Sequence, residues 1–453
     1  MSCCAGKAGV VAPADRYEAA VRTLFARRPD TMVRGLDRIR AVSERLGNPQ
    51  HRFEAVHITG TNGKTTLARM ISSVLQCAGL RVGTFTSPHL QDVRERVHVA
   101  GQPISAADLL AHLDALAPAM DRVERERGEM VTFFETMTAL AFRHFAAENV
   151  DAAVLEVGVG GRLDPTNVAR ARIAVIGPIG LDHPELGPHV EDVAGEKAGI
   201  VKDGVRMVVS ARQPAAAARV ISRRAARLGV PVAVEGADFG VLGRTRLPDG
   251  QELDLAGLGR RLIAGVRLPL QGAHQAANAA VAVAASESFL ASDGRLLQHD
   301  AVRAGFASTR SPGRLELVRR QDAAPVLLDG AHNPDGALAL AGALRSEFPA
   351  FDQRVLVLGM QDDKDVEAVV RALLPAVDSL VVTCAPGHRA APADRLAKAM
   401  HSAGRDALVT VDTREALACA TELANPSRDL VVVTGSLYLV GAAREILGLT
   451  SFR

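Results

Sequence analysis

The sequence predicts an α/β protein of two domains, and three observations predict it. From His51 onward, short β-branched runs alternate with helical patterns of roughly 10–16 residues, the mark of parallel βα units. A Gly-containing loop, HITGTNGKTT, stands between a strand pattern and a helix pattern. Near residue 310 the segment ASTRSPGR gathers Ser, Thr, Pro and Gly as a linker does, and a second βα series follows it. The length of 453 residues would by itself allow about three domains. The order of the patterns reduces this to a P-loop-containing domain over 16–308 and a smaller Rossmann-like domain over 309–453, with 1–15 as a frayed tail.

The elements follow in order. FEAVHIT reads as a buried strand, and Leu67, Met70, Ile71, Val74 and Leu75 then share one face of a helix that starts near Lys64 and stops at Gly79. Strands are expected at 152–157, 173–176, 205–210 and 230–235. Over 238–270 the helical period disappears and short Gly-rich alternations suggest antiparallel hairpins at a sheet edge, before HQAANAAVAVAASESFL returns to helix. Beyond the linker, VLLDG, VLVLG, SLVVTC, ALVTV and DLVVVTG read as strands with helices between them.

Composition excludes several classes. There are 53 basic and 51 acidic residues and no run of five like charges, so neither a nucleic-acid arm nor a polybasic membrane patch is expected. With 2 Tyr, 13 Phe and no Trp, the chain is poor in platforms for stacking single-stranded bases, which argues against a P-loop motor on nucleic acid. Cys3, Cys4, Cys77, Cys384 and Cys419 have no disulfide or metal-ligand spacing, and no long apolar run appears, so a cytoplasmic protein without a membrane span is expected. Only Lys7, Lys64, Lys197, Lys202, Lys364 and Lys398 among the basic residues are lysine.

In a strand–loop–helix turn, backbone N–H groups and the positive helix end converge on one spot that suits phosphate. Lys64 would add a point charge there, and the Thr65 hydroxyl suits Mg²⁺. The longer P-loop pattern would place glycine at Ile58; this loop is the shorter G-T-N-G-K-T of Gly60, Thr61, Asn62, Gly63, Lys64 and Thr65, followed by Thr66. Glu156 ends a strand before a Gly-rich turn, which puts its carboxylate at the edge where open α/β sheets collect ligands. His183 follows another strand end, where a structural role is as good a reading as a ligand. From the residues alone, Lys197 is a helix-surface lysine in a salt bridge, and an amine of the usual pKa near ~10.4 would repel Mg²⁺. Arg314, in the linker, reads as solvent-exposed.

G-T-x-G-K-T resembles the ATP loop of the Mur ligase superfamily, and from about residue 34 the whole chain resembles its folylpolyglutamate synthase/dihydrofolate synthase family. RGLDRIRAVSERLGNPQ, which cell-wall ligases lack, is followed in order by TSPHL, RERV, TFFE, EVGVGGRLDPTNV, LDH, EKAGIVK, GAHQAANA, SPGRLE and DGAHNPDG. The resemblance implies a Mur-ligase-like ATPase domain and an ATP-dependent ligase that adds L-glutamate to a folate or dihydropteroate carboxylate. It implies Lys64, His183 and a carbamylated Lys197 as catalytic residues, and Mg²⁺ at two sites held by Ser87, Glu156, His183 and Thr65. Asn278 would lie beside the adenine, with Arg314, Asp329 and His332 reaching ATP across the cleft. Thr132, Phe134 and Asp164 would belong to the pterin pocket, and the protein would work as a monomer on small-molecule substrates. Pro165 and Pro178 stand where the family commonly has Ala and Asn, and LDHPELGPH is one residue shorter than in many relatives. A cell-wall ligase acting on a UDP-linked precursor is the alternative; it shares the loop and metal residues but not 34–50 or TFFE. A non-catalytic nucleotide-binding protein would be expected to have lost Lys64, Glu156 or His183, which are all present.

Overall fold

The computed structural model describes residues 13–28, 33–387 and 389–450. The tail expected over 1–15 lies outside the described residues as far as 12; from there the chain is helical, Pro13–Phe25, because Leu24 is buried and Tyr17, Val21 and Phe25 pack against the same cluster.

β1 (Glu54–Thr59), β2 (Val82–Phe85), β3 (Val97–Val99), β4 (Gln102–Pro103), β5 (Ala152–Glu156), β6 (Ala171–Ile176), β7 (Met207–Ser210) and β8 (Val232–Val234) form one sheet ordered β4-β3-β2-β5-β1-β6-β7-β8. All pairs from β2 to β8 are parallel, and β3 and β4 add an antiparallel edge. Alternation assigns the two faces: Val56 and Ile58 join the Lys64–Cys77 helix on one side, while Ala55 faces the Asp37–Arg45 and Phe133–Ala147 helices on the other. The loop after β1 therefore opens between the ends of β5 and β6, where the chain path switches sides of the sheet.

The region 238–270 departs from expectation. β9 (Gly240–Leu247), β10 (Gly250–Ala256) and β11 (Leu262–Leu268) form their own three-stranded antiparallel sheet and do not extend the edge of the large one. Leu253, Leu255, Ile263, Val266 and Leu268 bury themselves with Ala276, Ala280 and Val283 of the Ala273–Ala291 helix, so apolar burial attaches the small sheet to the domain.

After the 309–315 connection come β12 (Glu316–Arg320), β13 (Ala323–Leu328), β14 (Arg354–Leu358), β15 (Ser379–Val382), β16 (Leu408–Val409) and β17 (Leu430–Thr434), ordered β12-β13-β17-β14-β15-β16. Only β12 is antiparallel, and β17 inserts between β13 and β14. ALVTV contributes just the two-residue β16, whose residues are exposed at the sheet edge.

One buried ion pair ties the 34–50 segment to TFFE. Thr132 caps the Phe133–Ala147 helix in a capping box with Glu135. The same Glu135 carboxylate accepts from Arg38 Nε at 3.1 Å, and both residues are buried. Removing one partner leaves an uncompensated buried charge. Glu135→Ala is therefore expected to cost ~3–5 kcal/mol of unfolding free energy, read as a lower denaturant midpoint at unchanged slope; a loss below ~1 kcal/mol would mean that the exposed Glu129, 2.6 Å from Arg38, suffices as its partner.

Candidate active site

The Lys64–Cys77 helix begins at the end of β1, with Gly63 in the left-handed region at φ 81°. A side chain there would also meet the Asn278 amide, 3.0 Å from the position of a Cβ. Glycine thus lets the loop turn tightly against the Ala273–Ala291 helix. Lys64 Nζ donates to Gly60 O (3.0 Å) and Thr61 O (3.1 Å), folding over its own loop. Thr61 Oγ1 exchanges hydrogen bonds with the Gly180 backbone, fixing the loop to the segment after β6.

Glu156, at the end of β5, is buried beside this loop. It accepts from Thr65 Oγ1 (2.9 Å) and Ser87 N (3.0 Å). Burial raises its carboxyl, and the Lys64 charge pulls the other way. Among the described residues no three His, Cys, Asp or Glu side chains converge as a protein-built metal cage would. A buried carboxylate beside a threonine hydroxyl is nevertheless the hard-oxygen set that suits Mg²⁺, which keeps most of its waters. His183 Nδ1 lies 3.1 Å from Glu185 and Nε2 3.6 Å from Asp182.

Lys197 is not on the surface. It is 3% exposed, at the end of the Val190–Lys197 helix, and its Nζ donates to Gly60 O at 2.7 Å in place of the expected salt bridge. Burial, with Lys64 nearby, pushes its pKa down to about 7. Arg314 is likewise not a free linker residue; it lines the cleft, its guanidinium against Gly330.

A cavity of about 860 Å³ runs between the two sheets. Thr61, Asn62, Gly63, Lys64, Thr65, Thr66, Ser87, Glu156, His183, Asn278, Arg314, Asp329 and His332 line it, and so do Thr132, Phe134 and Asp164. Gly60 and Lys197 are not part of its lining. Several of these side chains are already committed. Asn278 Nδ2 donates to Gln275 (3.0 Å), and Asp329 accepts from Leu315 N and Ala331 N, both at 2.9 Å. Asp164 accepts from Gly158 N (2.8 Å), Val159 N (3.2 Å), Thr166 N (3.0 Å) and the Thr166 hydroxyl, which uses the four lone-pair directions of a carboxylate. Its pKa is pushed up to about 6 by burial, and it shapes the loop after β5. Pro165 sits at the first position of the Pro165–Val168 turn, where its fixed φ is favourable.

Sequence reasoning missed the hub of the cleft. Asp182 meets Lys364 Nζ at 2.8 Å and His332 Nε2 at 3.7 Å, both from the second domain, besides His183. Burial alone would raise its carboxyl, but His332, Lys364 and His183 together hold it far below the carboxylate range. The scarcity of lysine was the available signal for Lys364. Asn333, buried at the start of the Pro334–Ser346 helix, exchanges amide hydrogen bonds with Asn62 at 3.0 and 3.3 Å.

A parallel sheet carrying a phosphate loop, joined by a short linker to a second parallel sheet that closes on it, defines an ATP-dependent ligase of the Mur type. In agreement, residues 58–286 match the Mur ligase middle domain and 313–437 the Mur ligase glutamate ligase domain. The dihydrofolate synthase/folylpolyglutamate synthase of Mycobacterium tuberculosis is 41% identical, with 97% of this chain and 96% of that one covered. That of Bacillus subtilis is 34% identical over 91% and 95%. A Mycobacterium tuberculosis folylpolyglutamate synthase complexed with ADP has a TM-score of 0.91 at 39% identity, covering 97% of this chain and 99% of its own. A folylpolyglutamate synthase complex with AMPPCP and folate has a TM-score of 0.83 at 31% identity, covering 95% and 99%. The chain belongs to the folylpolyglutamate synthase/dihydrofolate synthase family.

Lys197 gives a signed pH test. Its amine titrates near 10.5 when unperturbed and at about 7 in the fold, so between these values the unfolded chain binds the extra proton. Its contribution to stability therefore rises with pH across that window. In CO₂-free buffer, the stability of Lys197→Met relative to the unsubstituted protein is expected to be highest at pH 7 and to fall by at most ~1.4 kcal/mol per pH unit toward pH 10. Equal differences at both ends would mean the amine titrates normally.

Proposed function

We propose that this protein joins L-glutamate to the carboxylate of a folate or dihydropteroate, using ATP. The observation that carries the reading is that one cavity joins the phosphate loop to Thr132, Phe134 and Asp164 and receives Arg314, His332 and Lys364 from the far side. The substrate carboxylate attacks the γ-phosphorus of ATP, giving an acyl phosphate and ADP. The glutamate amine then attacks the activated carbonyl, forming the amide and releasing phosphate. A bare carboxylate is a poor acylating agent, so phosphorylation supplies the leaving group, and the protein contributes positioning and charge stabilisation.

Lys64 leaves the carbonyls of its own loop to neutralise phosphate charge, beside the backbone N–H groups at the start of its helix. Thr65, Glu156, Ser87 and His183 would hold Mg²⁺, which when bound offsets negative charge on the transferring phosphoryl group. A second Mg²⁺ calls for modification of Lys197, because an ammonium would repel it; a pKa of about 7 leaves a neutral fraction able to take up CO₂. Asn278 would orient the adenine, and Arg314, Asp329 and His332 act from the second domain. No described helix is long and apolar enough to cross a membrane. We assign the protein to the cytoplasm, as a monomer.

The test is ADP release by the purified protein with dihydropteroate or tetrahydrofolate as acceptor. Release is expected to need acceptor and L-glutamate together, and Lys64→Ala to lower it by at least ~10²-fold. Rapid ATP turnover without glutamate would overturn the ligase reading, and a comparison of the two acceptors decides whether one activity or both are present.

A further inference from the structure

We propose that Arg444, outside the cavity, is the positioning residue that sets the linker so that Arg314 enters the cleft. The proposal rests on the reading of Arg314 as an ATP contact.

The linker conformation is unusual. Leu315, next to Arg314, has φ 49°, a left-handed value that side chains branched like leucine rarely adopt. Such backbone persists only where surrounding contacts over-determine it. Asp329 accepts from Leu315 N at 2.9 Å, and Gly330 N donates to Gly313 O at 2.9 Å. Glu316 accepts from Gly313 N at 2.7 Å. The Glu316 carboxylate is in turn gripped by Arg444, which is 4% exposed on the Leu437–Ile446 helix.

Arg444 also reaches the first domain. Its Nε donates to Gln91 Oε1 at 3.1 Å, and Gln91 Nε2 donates to Leu449 O at 2.9 Å. One turn earlier, Gly441 lies so close to the Leu90 carbonyl that any side chain there would collide with it, and Gly313 packs against Leu90 and Val440. A buried guanidinium thus bridges the linker turn, the last helix and the loop that begins with Ser87. Arg444 does not line the cavity, whereas Arg314 does, and the Arg314 charge bears on both Lys64 and Glu156. Arg444 therefore acts on ATP only through the elements it holds, and Glu316 makes the linker the one that carries Arg314. The planar fork of arginine is required, because it must meet a carboxylate and an amide oxygen at once from a buried position.

The experiment measures KM for ATP and kcat, at saturating acceptor and glutamate, for Arg314→Met, Arg444→Met, Arg444→Lys, Glu316→Gln and the Arg314→Met/Arg444→Met double variant, with melting temperatures alongside. Arg314→Met and Arg444→Met are each expected to raise KM for ATP about tenfold with kcat within about threefold. Glu316→Gln should shift KM the same way, Arg444→Lys should recover only part of the effect, and the double variant should be no worse than Arg314→Met. Should Arg444→Met fail to fold, Glu316→Gln breaks the same pair from its more exposed end and carries the test. An unchanged KM in Arg314→Met sinks the ATP-contact reading, and this proposal with it. A raised KM in Arg314→Met with normal values in Arg444→Met and Glu316→Gln, or a double variant whose effects multiply, overturns the proposal alone.

Discussion

The site is organised around one backbone carbonyl. Gly60 O accepts from two lysine ammonium groups, Lys64 at 3.0 Å and Lys197 at 2.7 Å, inside the protein. Two cations this close in a poorly solvated place repel one another, and the repulsion is relieved either by loss of a proton or by arrival of an anion. Burial together with Lys64 drives Lys197 down to about 7. A phosphate entering the loop meets a lysine that needs a counter-charge, at the start of a helix.

The second domain meets that loop through a few polar contacts. Asn333 pairs with Asn62, Ser311 with Thr66, and Lys364 with Asp182. Each contact lands on the phosphate loop, on the helix it starts, or on the segment after β6 that fixes it. Closure and loop geometry are consequently coupled: a shift of the second domain moves the groups that hold Asn62 and Asp182. Polar contacts of this kind exchange readily with water or substrate, which suits a cleft that must admit three substrates and release three products.

Much of this was legible in the sequence because local rules and tertiary structure agree there. β1, the loop and its helix are read directly from apolar periodicity and glycine placement, and Glu156 from its position at a strand end. What was not legible depended on through-space facts. Lys197 reads as a surface residue because helical spacing says nothing about what covers a helix end. The β9–β11 sheet looked like an edge extension because alternation reveals strands but not their partners. Asp182 escaped attention beside the more conspicuous His183, since its role exists only when Lys364 and His332 are brought to it from 150 or more residues away. Arg314 lost its exposed appearance for the same reason: the groups that fix its neighbours, Asp329 and Arg444, lie in other elements.

The rarity of lysine in an arginine-rich chain then acquires a physical account. Lys64, Lys197, Lys202 and Lys364 all end on oxygen atoms within the fold: Gly60 and Thr61 carbonyls, the Asn167 and Ala169 carbonyls, and the Asp182 carboxylate. A guanidinium would bring five donors in a rigid plane to places that offer one or two acceptors, leaving buried N–H groups unsatisfied. It also could not shed its proton, as the amines of Lys197 and Lys202, pushed by burial to about 7 and about 8, are able to do. Where the reverse is wanted, at Arg38 between Glu129 and Glu135 and at Arg444 between Glu316 and Gln91, the chain uses the fork. At these sites the cation present suits the acceptors that the fold offers it, so a bias that looks like composition is, there, also geometry.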